Sequence, residues 1–79
     1  MESVKSKYNL TDIYKVGEGE KAEFYIAVST YKDRKTLLFL NVNKTSKWVG
    51  GMYAIPLELL DSLIERLQVI RKRVGVADV

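Results

Sequence analysis

Residues 22–42, AEFYIAVSTYKDRKTLLFLNV, decide the architecture. From Ala22 to Tyr31 the side chains alternate: Ala22, Phe24, Ile26, Val28 and Thr30 fall on one face, and Glu23, Tyr25, Ala27, Ser29 and Tyr31 on the other. A period of two is the signature of a strand. The first face reads as the core side and the second as a mixed side carrying two tyrosines. Lys32-Asp33-Arg34-Lys35 supplies a short polar connection, and Thr36 to Val42 follows as the next strand. There Leu37 and Phe39 oppose Leu38, Leu40 and Val42, so both faces are apolar, as in a central strand covered on two sides.

Working outward, YNLTDIYKV over residues 8–16 is rich in β-formers and predicts another strand, followed by the turn Gly17-Glu18-Gly19-Glu20. Residues 1–7 are polar and are expected to be flexible. On the other side, Asn43-Lys44-Thr45-Ser46 is a turn. Lys47-Trp48-Val49 and Met52-Tyr53-Ala54-Ile55 then flank Gly50-Gly51, either as two arms of a tight hairpin or as one curved strand with a bulge. Pro56 suits the first helical position. Behind it Leu60, Leu63, Ile64, Leu67, Ile70 and Val74 recur at three and four, predicting one amphipathic helix over roughly residues 57–74. Glu58 and Asp61 early, and Arg71, Lys72 and Arg73 late, complement its dipole, and Gly75 is a natural stop. The predicted fold class is α+β: a curved antiparallel sheet of about four strands followed by a C-terminal helix, in one domain over residues 8–79.

Composition narrows the function. The chain has 79 residues and neither cysteine nor histidine. A chain this short buries only about 60% of its unfolded surface, and no disulfide offsets the deficit. Homodimerisation is the readiest source of further burial, with Leu60, Leu63, Ile64, Leu67 and Ile70 as the expected interface. A structural zinc site needs sulfur or imidazole in nearly every case, so no metal site is expected, and no cofactor either. No apolar run reaches the length of a membrane span. The start, Met1-Glu2-Ser3-Val4-Lys5, lacks the apolar stretch of a signal peptide, which predicts an intracellular protein that is not secreted. Catalysis is not expected. A nucleophile would have to be Ser, Thr or Lys with an activating neighbour that the sequence does not reveal. Gly17-Glu18-Gly19-Glu20-Lys21 lacks phosphate-loop spacing, and its carboxylates would repel phosphate.

The net charge is +3, and it is unevenly spread: −1 over residues 1–20, +4 over 21–55 and 0 over 56–79. The excess positive charge sits wholly in the sheet region, which points to a polyanionic partner. Aromatics are interleaved with those cations. Tyr25 and Tyr31 share a strand face, Lys32, Arg34 and Lys35 end that strand, and Lys44, Lys47, Trp48 and Tyr53 surround the next turn. Exposed rings for stacking and cations for phosphate are the two ingredients of sequence-tolerant single-strand binding. Tyr8 and Tyr14 read as structural. The polar side of the helix carries Asp61 and Glu65, which disfavours a duplex-reading helix in a major groove. A protein-interaction module and a duplex-binding regulatory protein are the alternatives.

Lys35-Thr36-Leu37-Leu38-Phe39-Leu40, then Tyr53-Ala54-Ile55-Pro56-Leu57 and the helix from Leu60 to Leu67, resemble the transcriptional positive-cofactor-four coactivator group and, more widely, the Whirly and Pur-alpha single-strand binders. Ile55-Pro56-Leu57 matches the short apolar entry into the helix of that group. The resemblance covers about two-thirds of the chain and is one of element order. It implies homodimerisation through helices and strand ends, and single-stranded DNA or RNA held on a concave basic and aromatic face; DNA is expected ahead of RNA. By position it favours Lys21, Tyr25, Arg34, Lys35, Lys47 and Trp48. The short connections and the Gly50-Gly51 break depart from it.

Overall fold

The computed structural model describes residues 4–75. Four strands, β1 (Leu10–Glu18), β2 (Ala22–Tyr31), β3 (Arg34–Asn43) and β4 (Val49–Pro56), pair antiparallel in the order β1-β2-β3-β4. A 3-10 turn, Leu57–Leu59, leads into helix α1, Leu60–Val74. The expected α+β order of four antiparallel strands and one C-terminal helix is present. Gly75 closes α1 in the left-handed conformation, φ 70°, which glycine adopts without steric cost.

β2 and β3 pair without a break from Ala22↔Asn43 to Tyr31↔Arg34. Their connection is the two-residue turn Lys32-Asp33, with φ of 50° and 65°. Two successive positive φ values mark the type I′ hairpin, whose twist matches that of the strands it joins. The outer strands are less regular. β1 slips against β2 twice, between Thr11 and Tyr14 and between Lys15 and Gly17. β4 slips once against β3, between Gly51 and Val49, leaving Gly50 as the additional residue. Gly50-Gly51 is therefore a bulge within one strand rather than a hairpin turn. Bulges bend and twist the strand that carries them, and here they curl the sheet.

The curl decides which face is inside. Tyr25, Ala27, Leu38, Leu40 and Val42 form the buried cluster, and Val4, Leu10, Ile13 and Val49 pack onto it from the two edges of the sheet. The expectation for β2 is reversed: the Glu23–Tyr25–Ala27 side is the core side, whereas Phe24 on the other side remains 44% exposed. Ala27 and Tyr25 sit opposite Leu38 and Leu40 in the register, so the concave floor is contributed by both central strands. Beyond the concave face, Lys5 forms a parallel bridge to Trp48. Its N–H donates to the Lys47 carbonyl at 2.7 Å and its carbonyl accepts the Val49 N–H at 3.1 Å. Because the same segment continues into β1, the chain from Val4 to Asn9 links the β4 edge to the β1 edge and partly closes the curl.

The convex face is covered sparsely. Leu37 is buried there, but no residue of α1 is. A groove of about 590 Å³ runs along it, lined by Val16, Phe24, Ile26, Phe39, Tyr53 and Leu67. Among the described residues no helix is long and apolar enough to cross a membrane.

Candidate nucleic-acid interface

Two adjoining depressions run along the segment that closes the curl. One, of about 280 Å³, is lined by Ser6, Lys7, Tyr8, Trp48 and Val49. The next, of about 560 Å³, has Lys7, Tyr8, Tyr31, Leu38, Met52 and Ala54 in its lining. They share Lys7 and Tyr8, so Trp48, Tyr8 and Tyr31 follow one another along a continuous groove over an apolar floor. All three rings are well exposed, at 53%, 47% and 70%. Two carry a cation: Lys7 Nζ lies 5.9 Å from the centre of the Tyr8 ring, and Lys32 Nζ 5.4 Å from that of Tyr31. A third depression, of about 510 Å³, shares Thr36 and Ala54 with the second and adds Arg34 and Lys35, together with Asp33 and Glu58.

Local structure explains these positions. The type I′ turn puts Lys32 at the hairpin tip beside Tyr31, the last residue of β2. The backbone bridge of Lys5 brings Tyr8, three residues on, between the Trp48 end and the Tyr31 end. Among the described residues, Lys7, Lys32, Arg34 and Lys35 have no carboxylate within 4.0 Å.

The end of the sheet beside Trp48 is internally neutralised. Glu23, a buried carboxylate, receives Lys47 Nζ at 2.8 Å and Lys15 Nζ at 3.2 Å. The Tyr25 hydroxyl adds a longer hydrogen bond of 3.4 Å. Glu18 pairs with Lys15 at 2.7 Å and with Lys44 at 3.3 Å. The hydrogen bond from Lys47, followed by that from Lys15, holds the Glu23 carboxyl down at about 2. Lys15 and then Lys44 lower Glu18 as well, while Glu18 and then Glu23 hold the Lys15 ammonium far above the ordinary lysine range. These charges are mutually satisfied, so Lys15, Lys44 and Lys47 have carboxylate partners that a phosphate would have to displace.

The predicted binding residues therefore separate. Tyr31 and Trp48 line the two adjoining depressions, Lys32 lies over the Tyr31 ring, and Arg34 and Lys35 line the third. Tyr25, 3% exposed, is a core residue with no ring face open for stacking. Lys44 and Lys47 are in ion pairs. Tyr53 is exposed but lies on the convex side, opposite Phe39 in the register. Lys21 stands in the turn between β1 and β2, where its carbonyl accepts the Lys44 N–H. Lys7 and Tyr8 join the site although the sequence reading left them out. The signal for them is a repeated adjacency: Lys7-Tyr8, Tyr31-Lys32 and Lys47-Trp48 each set a cation next to a ring.

Of the expected dimer residues, Leu60 and Leu63 are half-buried against the molecule, and Ile64, Leu67 and Ile70 are exposed. Among the described residues no three metal-ligating side chains come together. Comparison with known proteins finds no matching family model, no significant match among curated proteins and none among solved structures. Fold and surface chemistry are therefore the only grounds for assigning a function.

Proposed function

We propose that this protein binds single-stranded nucleic acid along the groove of Trp48, Tyr8 and Tyr31. The observation that carries the reading is the succession of three exposed rings over an apolar floor, two of them with an ammonium within 6 Å of the ring centre. Bases of any identity stack on such rings, each for about 1–3 kcal/mol, and neighbouring cations meet the phosphates between them. Arg34 and Lys35 extend the cationic track beyond Tyr31. A duplex keeps its bases paired and stacked, so the rings have nothing to receive from it.

The binding unit is proposed to be a homodimer joined through the convex face. The unpartnered apolar surface is concentrated in the groove beside Phe24, Tyr53 and Leu67 and along Ile64, Leu67 and Ile70. A second copy presents the same stripe, and a two-fold axis lets each helix fill the other's groove. The sheet residues Phe24 and Tyr53 thereby join the helix residues in the proposed interface.

Fluorescence anisotropy of labelled single-stranded and duplex oligonucleotides across a salt series tests the function. Single strands are expected to bind, with affinity falling steeply as salt rises, and duplexes of equal length to bind at least tenfold more weakly. Absence of single-strand binding at low salt would remove the proposal.

A further inference from the structure

We infer that Glu23, which does not face the groove, is a positioning residue for it: through Lys47 it holds both the ring of Trp48 and the backbone segment that carries Tyr8. The binding arm of this inference rests on the proposed single-strand function; its structural arm does not.

Glu23 is 7% exposed and lies on the core side of β2, opposite Val42. Burying a carboxylate among apolar side chains opposes folding unless it is paired, and even a good pair adds little net stability. Stability alone is therefore a weak reason for its presence, and its connections supply a stronger one. Glu23 Oε1 accepts Lys47 Nζ at 2.8 Å. Lys47 adopts φ 65°, a left-handed conformation that is sterically disfavoured for a non-glycine residue. Two flanking contacts fix that conformation. The Lys47 N–H donates to the Asn43 carbonyl at 2.9 Å, and the Lys47 carbonyl accepts the Lys5 N–H at 2.7 Å.

The next residue is Trp48. Its carbonyl accepts the Asn43 N–H at 3.0 Å, and its own N–H reaches Ser46 Oγ at 3.3 Å. Asn43 Oδ1 in turn caps the turn by accepting the Thr45 and Ser46 N–H groups, each at 2.9 Å. Release of Lys47 from Glu23 removes the ion pair that ties this turn to the buried carboxylate of β2. The turn then relaxes out of its left-handed strain, Lys5 loses its acceptor, and Trp48 and Tyr8 lose their common register.

The charge itself makes the inference testable. A polyanion is repelled by Glu23, so on electrostatics alone Glu23→Gln tightens strand binding, and the freed Lys47 steepens its salt dependence, Lys15 remaining paired with Glu18. Positioning predicts the reverse. Three measurements on the full chain decide: affinity for a labelled oligothymidine across a salt series, Trp48 emission of the free protein, and amide exchange at Lys5 and Val49. In E23Q the affinity is expected to fall at least about fivefold, the lower end of the loss of one stacking ring, with the salt slope unchanged. Trp48 emission shifts to the red, and the Lys5 and Val49 amides lose protection while those of Ala27 and Leu38 keep theirs. Glu18→Gln makes the same charge change at an exposed pair and leaves affinity within twofold and Trp48 emission unchanged.

Lys47→Met serves if E23Q does not fold. It keeps Glu23 paired with Lys15 and is expected to show the same loss of protection. Should the wild-type chain bind no strand, the proposed function fails, and emission and exchange still judge the positioning role. Unchanged emission and protection in E23Q and K47M, or tighter binding by E23Q, would overturn the inference.

Discussion

Lys32 and Tyr31 are neighbours in sequence that the hairpin turn makes into one unit, the ammonium lying 5.4 Å from the centre of a ring that is 70% exposed. One offers a face to a base and the other a charge to its phosphate, so the two contribute in separable ways. Tyr31→Ala is expected to weaken single-strand binding by about 1–3 kcal/mol at every salt concentration. Lys32→Ala is expected to lower the slope of log affinity against log salt by about 0.7, the value for one phosphate contact on a single strand. Anisotropy titrations of the two variants at four or more salt concentrations distinguish them.

Lysines equal in sequence are unequal in the fold. Lys35 has no carboxylate within 4.0 Å among the described residues, whereas Lys44 pairs with Glu18 at 3.3 Å. Lys35→Ala should reduce both affinity and salt slope, and Lys44→Ala should leave the slope within error of wild type. Equal effects of the two would mean that strands pass over the Glu18–Lys44 end as well.

Acid stability reports on Glu23. Its carboxyl titrates at about 2 in the folded chain against an ordinary 4.5, because Lys47 and then Lys15 donate to it. A depressed folded value stabilises the native state fully above about pH 4.5, and the contribution is lost as pH falls from there toward 2. Urea midpoints measured from pH 6 to pH 2 are expected to decline through that window in the wild type. The decline should be shallower in Glu23→Gln, with Glu18 supplying a remaining part.

Leu67 lines the convex groove with Phe24 and Tyr53. Leu67→Glu places a charge where a second copy is expected to pack. Sedimentation equilibrium should give twice 9.0 kDa for the wild type and 9.0 kDa for the variant. The thermal midpoint of the wild type, unlike that of the variant, should rise with protein concentration.

Asp33, at φ 65°, occupies a turn position that favours glycine. Asp33→Gly should raise stability by about 1 kcal/mol, read as a shift in the urea midpoint at constant m-value.

Much of this architecture is legible in the residues. The period of two over Ala22 to Tyr31, the apolar stripe from Leu60 to Val74 and the stop at Gly75 locate β2, α1 and its cap. The same periodicity cannot say which face turns inward. Phe24, Ile26 and Val28 make the more apolar side, yet bulges in β1 and β4 curl the sheet the other way, around Tyr25 and Ala27. Bulges depend on register between strands, and register is absent from the pattern of any single strand. The candidate site divides similarly. Tyr31, Lys32 and Trp48 follow from their composition, but the neutralisation of Lys47 depends on Glu23, twenty-four residues away. Tyr8 depends on the bridge between Lys5 and Trp48, which no local spacing announces.

The decisive measurement is a titration of the free protein with oligothymidine, followed by NMR of the aromatic ring signals. The groove model predicts progressive shifts of the Trp48 indole and of the Tyr8 and Tyr31 rings, while Tyr53 on the convex face and Tyr25 in the core keep theirs. Shifts centred on Tyr53 and the α1 side chains, or none at all, would contradict it.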